Sequence, residues 1–264
     1  MTDGPRVAIT GVGFWATGFP NAAAWAAGTP DPAADKPSGK SLDRVNRRRA
    51  GPLDRALADV VAEAIAQANV DPATVPVVIG SSIGEAVTMI GLLDAMWRRH
   101  EPMSPADFTM SVHNAASGLI SISNKNRGMT TSLAADEDTP AAALLEGIGL
   151  ALTRNTPVVV ACADEPAPPS LVQHAPPWAM LASAVVLAPL SGTPPRLATL
   201  RILANGRATL ARGPFPQLLV DNPQIGLAAV VDAVQRRSVG TIALDRGTGR
   251  GYLAELADPT PGTA

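Results

Sequence analysis

The stretch Thr130 to Leu152, TTSLAADEDTPAAALLEGIGLAL, decides how the chain is read. Thr130 to Ala135 reads as a short strand, Asp136-Glu137-Asp138 crowd a turn, and Thr139-Pro140 open a helix carried by Ala, Leu and Ile. Three carboxylates therefore collect at a helix N-terminus, where the first amide N–H groups lack partners and the dipole is positive. Asp138 or Thr139 is expected to cap, and Pro140 suits the first helical turn, where its missing N–H leaves nothing unsatisfied. Capping and dipole pairing alone account for three acids here, so any further role must come from the surrounding chain.

Outward from this stretch, apolar strands alternate with amphipathic helices. Upstream, Val77 to Ser82 is a strand leaving through glycine and serine, followed by a helix from Glu85 to Trp97. Ser104-Pro105 starts another helix that continues through Phe108 to Ile120 with small residues on much of its surface. Further back, Arg6 to Thr10 is a buried strand whose Gly11 and Gly13 are expected to make a tight turn. With Ala16 they satisfy a dinucleotide fingerprint only loosely, because Gly18 and Pro20 interrupt where a helix should open, and a helix starts only near Asn21 to Trp25. A polar, proline-rich loop spans about Thr29 to Gly51, and Leu57, Val60, Val61 and Ile65 mark a helix over Leu53 to Asn69.

Downstream, Pro157 to Glu165 is an apolar run typical of a central strand. A proline-rich loop leads to Trp178; Ala182 to Ala188 and Leu197 to Leu203 then read as an antiparallel pair at one side of the sheet. The last part holds strands at Gln217 to Val220 and Thr241 to Leu244 and a helix at Gly226 to Arg237.

With 264 residues, 46% hydrophobic and 17% charged, the chain can bury a substantial core. A net charge of −2 argues against nucleic acid as the partner. No run of eighteen apolar residues occurs, so membrane insertion is not expected, and the single Cys162 excludes an internal disulfide and fits a reducing, cytoplasmic setting. No cofactor is expected. His100, His113 and His174 have no close His/Cys/Asp spacing for a metal: His100 ends a helix beside two arginines, His113 lies among small helical residues, and His174 is in a proline-rich loop. A Gly-x-Ser-x-Gly elbow is missing, as is the Walker order around Asp245 to Gly251. The basic run Arg44, Arg47, Arg48, Arg49 reads as a solvated loop, with an acidic docking partner as the sharper alternative.

Six pieces in this order resemble the N-terminal half of a beta-ketoacyl synthase of the thiolase fold: RVAITGVGFWATG at Arg6, VVIGSSIGEAVTMI at Val77, SVHNAASGLISI at Ser111, GMTTSLAADEDTPAAALLEGI at Gly128, VVVACADEP at Val158 and ASAVVLAPL at Ala182. The resemblance spans about residues 5 to 205. It implies an α/β fold with a mixed central sheet flanked by helices: a ketosynthase-like N-terminal domain over 1–205 and a short α/β remnant over 206–264 packed on the same core.

In that family the strand-turn-helix at Gly128 carries the nucleophilic cysteine, whose thiolate the helix N-terminus favours. The register places Glu137 there, flanked by Asp136 and Asp138, so the acyl-accepting thiol is replaced by a carboxylate. Two histidines of the family's second half, which stabilise the enolate of the malonyl thioester, are absent as well; Asp245-Arg246-Gly247-Thr248-Gly249 is similar to the first histidine motif with Arg246 in the histidine's place. Framework kept and reactive groups lost resembles a chain-length factor, the inactive partner of an active ketosynthase, in the short form found with aryl polyene systems. That resemblance implies a heterodimer and an acyl carrier protein as partners. It puts Met129, Thr130, Thr131, Ser132, Leu133, His113 and Asn114 at the partner interface, and Glu137 in the blocked site, paired with amides, Arg or Lys. Two alternatives are an acyl-thioester enzyme using Glu137 as a base, for example in malonyl decarboxylation, and a carrier-binding scaffold docking through the arginine run.

Overall fold

A computed structural model describes residues 4–171, 177–191 and 195–259. Its centre is β1 (Val7–Ala16), buried along its whole length. The expected turn at Gly11 and Gly13 does not form; the strand continues through both, with a ladder irregularity between Ile9 and Gly11. The reason is the neighbouring helix α3 (Pro52–Ala68), which lies so close that a Cβ on Gly11 would stand 2.2 Å from the Ala64 carbonyl oxygen and one on Gly13 would stand 2.1 Å from that of Val60. These glycines serve backbone approach within a strand, not a reversal.

Eight strands form one sheet in the order β3-β2-β4-β5-β1-β6-β8-β7. β2 (Val77–Gly80) runs parallel to both β3 (Thr130–Leu133) and β4 (Val158–Asp164), whereas β5 (Leu181–Ala188), β6 (Ala198–Leu203), β7 (Gly240–Ala243) and β8 (Leu253–Ala257) are joined through antiparallel ladders. The sheet is therefore mixed. β5 and β6 do not pair with each other as expected; β1 lies between them, so β5 is central. β4 shows why both faces must be covered. Val158, Val160 and Cys162 join one apolar cluster while Val159, Ala161 and Ala163 join the other, the two-residue alternation of a strand buried on both sides. α1 (Ala22–Ala27), α7 (Thr139–Arg154) and α9 (Ile225–Gln235) cover the first face; α3 and α6 (Ala115–Ser123) cover the second. The outcome is the three-layer α/β arrangement of a thiolase-like fold.

Three further expectations change. The basic run is not a loop but a short helix, α2 (Arg44–Arg49): Asp43 Oδ1 accepts from the amides of Val45 and Asn46 at 2.8 and 3.0 Å, an N-cap directly before the arginines. The single helix through Phe108 to Ile120 is two, α5 (Pro105–Met110) and α6, broken at residues 111–114, where Ser111 Oγ donates to the Phe108 carbonyl and His113 turns its ring to the Ser81 carbonyl. Ser104 caps α5 as expected, its Oγ accepting from the Asp107 amide. Gln217–Val220 is a helical turn, α8, and not a strand. The strand that pairs with β7 is β8, which had no expectation attached to it. α4 (Ala86–Trp97) matches its expected extent.

Candidate functional site

The site lies where the turn after β3 meets the N-terminal end of α7. Asp136 takes a left-handed φ of 49°, and residues Asp136–Asp138 form a single 3-10 turn that leads into the helix. Thr139, not Asp138, fastens this junction: its Oγ1 accepts from the Ala135 amide at 3.0 Å and donates to the Asp136 carbonyl at 2.7 Å. Asp138 makes no cap; its Oδ1 accepts instead from the Arg250 amide at 2.9 Å. Neither expected residue therefore caps α7 with its side chain: Asp138 is held by the loop between β7 and β8, and Thr139 bonds back to the turn before the helix.

That loop, Asp245-Arg246-Gly247-Thr248-Gly249-Arg250-Gly251, closes over the turn. Asp245 is buried and folds the loop back on itself, accepting from the amides of Gly247 at 2.6 Å and Gly251 at 2.9 Å. Gly249 passes between two carboxylates; a Cβ there would stand 2.6 Å from Asp138 Oδ1 and 2.7 Å from Asp245 Cβ, so no side chain fits. Arg246 then reaches Glu137. Its Nε donates to Oε1 and Oε2 at 3.1 and 2.8 Å, and its Nη2 also bonds Oε1. The other arm, Nη1, donates to the Asp221 carbonyl, and the guanidinium carbon lies 5.7 Å from the centroid of the Trp178 ring. Both side chains are mostly buried, with 14% of Glu137 and 21% of Arg246 exposed. The Glu137 hydrogen bond, more than any other influence, holds Arg246 above its usual range; burial acts the other way. Arg212 backs the loop by donating to the Asp245 carbonyl, and burial draws its pKa down.

Beneath the turn lies a polar bed centred on Asp164, which is fully buried. Its carboxyl accepts from Ser81 Oγ, from the amides of Ser82 and Ile83, and from Gln224 Nε2 at 2.6 Å. Burial pushes this carboxyl up despite those four donors. Ser82 Oγ, which receives a second bond from Gln224, donates to the Asp136 carbonyl at 2.9 Å. The carboxylate turn is therefore fixed from below by β2, β4 and the start of α9, and from above by the glycine-rich loop.

Cys162 lies elsewhere, in the middle of β4 with its thiol wholly buried; desolvation first, and Asp164 second, push it far above the range in which a thiolate forms at neutral pH. Of the histidines, His113 sits in the α5–α6 break and not on a helix, and His100 follows α4 with a left-handed φ of 54°. His174 is outside the described residues, among which no His/Cys/Asp/Glu group has the geometry of a metal site. Thr130, Thr131, Ser132 and Leu133 form β3, the outermost strand, with β2 as its one ladder neighbour among the described residues. Met129 precedes it and holds Arg154 Nη2 through its sulfur, and Ser132 Oγ bonds Ser117 Oγ on α6, the helix that Asn114 precedes. Arg44, Arg47, Arg48 and Arg49 are exposed on α2, apart from Glu137; Arg49 Nη2 reaches Thr109 Oγ1. The structure thus brings Glu137 and Arg246 together and leaves the other candidates on separate surfaces. Trp178, Arg212 and the Asp164–Gln224 pair were not singled out from sequence, because single polar residues in loops and strand ends carry no periodic signal.

A mixed sheet between two helical layers, with a strand-turn-helix entering a closed polar site, defines a thiolase-like framework. Residues 21–238 match the family described as beta-ketoacyl synthase, N-terminal domain, and the chain belongs to that family. No curated protein matches it. Among solved structures, a chain of the ketosynthase ApeO in complex with its chain length factor ApeC from Xenorhabdus doucetiae is similar at 18% identity and a TM-score of 0.68, covering 96% of this chain and 99% of that one. The ishigamide ketosynthase/chain length factor gives 18% identity and a TM-score of 0.60, with 75% of this chain and 67% of that one covered. A type II PKS acyl-carrier protein complex with its ketosynthase bound to the hexaketide, AntDE:AntF, gives 13% and 0.64 over 97% and 100%. At these identities the likeness is one of fold. Among the described residues no helix is long and apolar enough to cross a membrane.

Proposed function

We propose that this chain is a catalytically inactive ketosynthase-like subunit, a chain-length factor, that pairs with an active beta-ketoacyl synthase in polyene, polyketide or fatty-acid-type biosynthesis and shapes the acyl tunnel. One observation carries this: both carboxylate oxygens of Glu137, which the family resemblance puts at the nucleophile's position, are engaged by Arg246, which it puts in the place of the first histidine. A carboxylate so paired is not free to take a proton from a substrate, and an acyl group transferred to it would form a mixed anhydride, not a thioester. This weighs against the alternative of an acyl-thioester enzyme using Glu137 as base. The ion pair fills the former site and leaves the framework intact.

Residues 1–205 act in this reading as the ketosynthase-like domain and 206–264 as a remnant on the same core, supported by α9, β7 and β8 packing into the one sheet system. The partner surface is assigned to β3, whose outer edge offers unpaired backbone groups, together with Met129, His113 and Asn114. A carrier protein, acidic where it docks, is assigned to the α2 arginines, and the place of action to the cytoplasm. The near-complete mutual coverage with a chain of the ApeO–ApeC complex supports an assembly of this kind. Co-expression with a candidate partner ketosynthase, mass measurement of the eluted species and a condensation assay with and without this chain test the proposal. A one-to-one complex required for condensation supports it; full activity of the ketosynthase alone, with no complex, overturns it.

A further inference from the structure

A second set of acids, remote in role from Glu137, lies at the base of α4. Asp54 in the first turn of α3, Glu85 at the start of α4 and Glu165 just after β4 are 1%, 4% and 6% exposed. Asp54 and Glu85 stand side by side against Gly51: a Cβ there would lie 3.5 Å from Glu85 Oε2 and 3.8 Å from Asp54 Oδ2. Asp54 Oδ2 accepts from the Gly51 amide at 2.9 Å, while Asp54 Oδ1 and Glu85 Oε1 are buried with no protein donor. The nearby cation on α3, Arg55, gives its N–H groups to the carbonyls of Ala50 and Arg47. Two carboxyls buried side by side against Gly51, with no cation hydrogen-bonded to either among the described residues, repel each other unless one carries a proton.

Glu85 is also where a weakly packed segment is fastened. In α4, Ala86 is the one residue that is fully buried, and the hairpin of α4 and α5 shows Val87, Met89, Trp97, Met103 and Phe108 to solvent. Its two ends come together below Glu85: Gly84 has a φ of 56°, with room for nothing beyond hydrogen because the His113 ring is packed on it, and His113 bonds the Ser81 carbonyl at 2.8 Å. The groups that face Glu85 are Asp54 on α3, Glu165 just after β4 and Thr88 on its own helix; Arg55 acts on Asp54, Asp164 acts on Glu165, and the His113 ring lies on Gly84, the residue before Glu85.

We propose that the proton shared by Glu85 and Asp54 is a clasp that holds the α4–α5 hairpin, residues 86–110, against α3, and that losing it at alkaline pH releases the hairpin. The sign follows from linkage. Burial first and Asp54 second push Glu85 from the ordinary carboxylate range up to about 9, whereas in the opened hairpin it is solvated and ordinary. Between those two values the closed form holds a proton that the open form has lost, so closure weakens steadily as pH rises and levels off above about 9. Glu165, raised to about 7 by burial and by Asp54, adds to the trend only below that value. The window from pH 7.5 to 9 therefore reports on the Glu85–Asp54 pair and not on Glu165.

Hydrogen exchange of amides 86–110 in the full chain, corrected for intrinsic base catalysis, reads this opening. The opening constant is expected to rise by up to about tenfold per pH unit between pH 7.5 and 9. In Glu85→Gln, whose amide donates to Asp54 at every pH, it is expected to stay flat. A flat wild-type profile overturns the proposal, as does an equal slope in Glu85→Gln. Should Glu85→Gln not fold, Asp54→Asn supplies the same neutral partner from the other side and must flatten the profile in its place.

Discussion

Glu137 and Arg246, 109 positions apart in the chain, meet in a two-oxygen ion pair at the N-terminal end of α7, with the Asp221 carbonyl and the Trp178 ring completing the arginine's surroundings. The geometry explains why each partner needs the other. Fork-to-carboxylate pairing fixes direction as well as charge, and here it draws the β7–β8 loop onto the turn that would otherwise present an open helix N-terminus. Asp245, Asp138 and Gly249 add hydrogen bonds and close fit to the same loop, so the plug is built from several contacts and not from one.

The losses from removing the two members should therefore not add. Arg246→Leu leaves a mostly buried carboxylate without its cation and is expected to destabilise the chain by about 2 to 4 kcal/mol, whereas Glu137→Gln with Arg246→Leu is expected to lose less than the sum of the single changes. Urea unfolding of the three variants measures the coupling. Additive losses would mean that the pair does not act as a unit. Glu137→Cys, for its part, is expected to give no condensation in the isolated chain, because a thiol alone does not polarise the malonyl carbonyl.

Two glycines on one helix make opposite predictions. A Cβ on Gly147 would lie 2.2 Å from Val160 Cγ2 and 3.2 Å from Leu187 Cδ1, inside the core between α7 and the sheet. Gly147→Ala is expected to destabilise by about 1 to 3 kcal/mol through overpacking. Gly149, two residues on, is exposed and meets nothing within 4 Å; Gly149→Ala is expected to stabilise by about 1 kcal/mol through helix propensity alone. Thermal unfolding of both variants decides it, and a shift of the same sign in the two would contradict the assigned packing of α7.

Much of this architecture was legible where a pattern is local. Val158–Asp164 announces a doubly covered strand by composition, and Leu57, Val60, Val61 and Ile65 announce α3 by spacing. Glu137 was placed by resemblance, and Arg246 by its motif; their contact required the fold. What escaped was set by distant neighbours. Gly11 and Gly13 look like turn residues until α3 is laid across them, and four residues at Gln217–Val220 are too few for either period to show. Asp54 and Glu85 carried no expectation beyond lying at helix starts, since nothing in their local sequence tells that α3 and α4 bury both against Gly51.

The two ends of the pH range are governed by different carboxyls. Glu255 on β8 is held below the usual range, chiefly by its hydrogen bond to Arg201, with Arg6 bonding Oε2 at 2.7 Å. A depressed folded value means stability present above the unfolded value and lost as pH falls through the folded one. Glu255→Gln is expected to remove about 1 kcal/mol at neutral pH, modest because the cluster is partly solvated, and nothing once the pH has fallen below the folded value. Glu85 acts with the opposite sign, its contribution declining from the ordinary carboxylate range up to about 9. Urea midpoints against pH for wild type, Glu255→Gln and Glu85→Gln separate the two: the first variant should flatten the acid limb alone, the second the alkaline limb alone.

The arginines of α2 offer a test of partner chemistry that does not touch the core. Arg44, Arg47 and Arg48 are exposed and form no ion pair among the described residues, and the helix is anchored by other groups, Asp43 at its cap and Asn46 to Ser123 of α6. Val45, 67% exposed, sits in the same run, and Ile122, 66% exposed, lies beside the Ser123 anchor on α6, so cationic and apolar surface adjoin. Replacing Arg47 and Arg48 with glutamate should leave unfolding within about 0.5 kcal/mol of wild type, as surface changes away from packing do. If an acidic carrier docks here, the same double change should weaken carrier binding by at least tenfold and lessen its salt dependence, since the steering charge is reversed. Isothermal titration at two salt concentrations, with the ketosynthase complex held constant, gives both quantities. Unchanged carrier affinity in a folded double variant would assign docking to another face and leave α2 as a helix that is basic only because it is solvated.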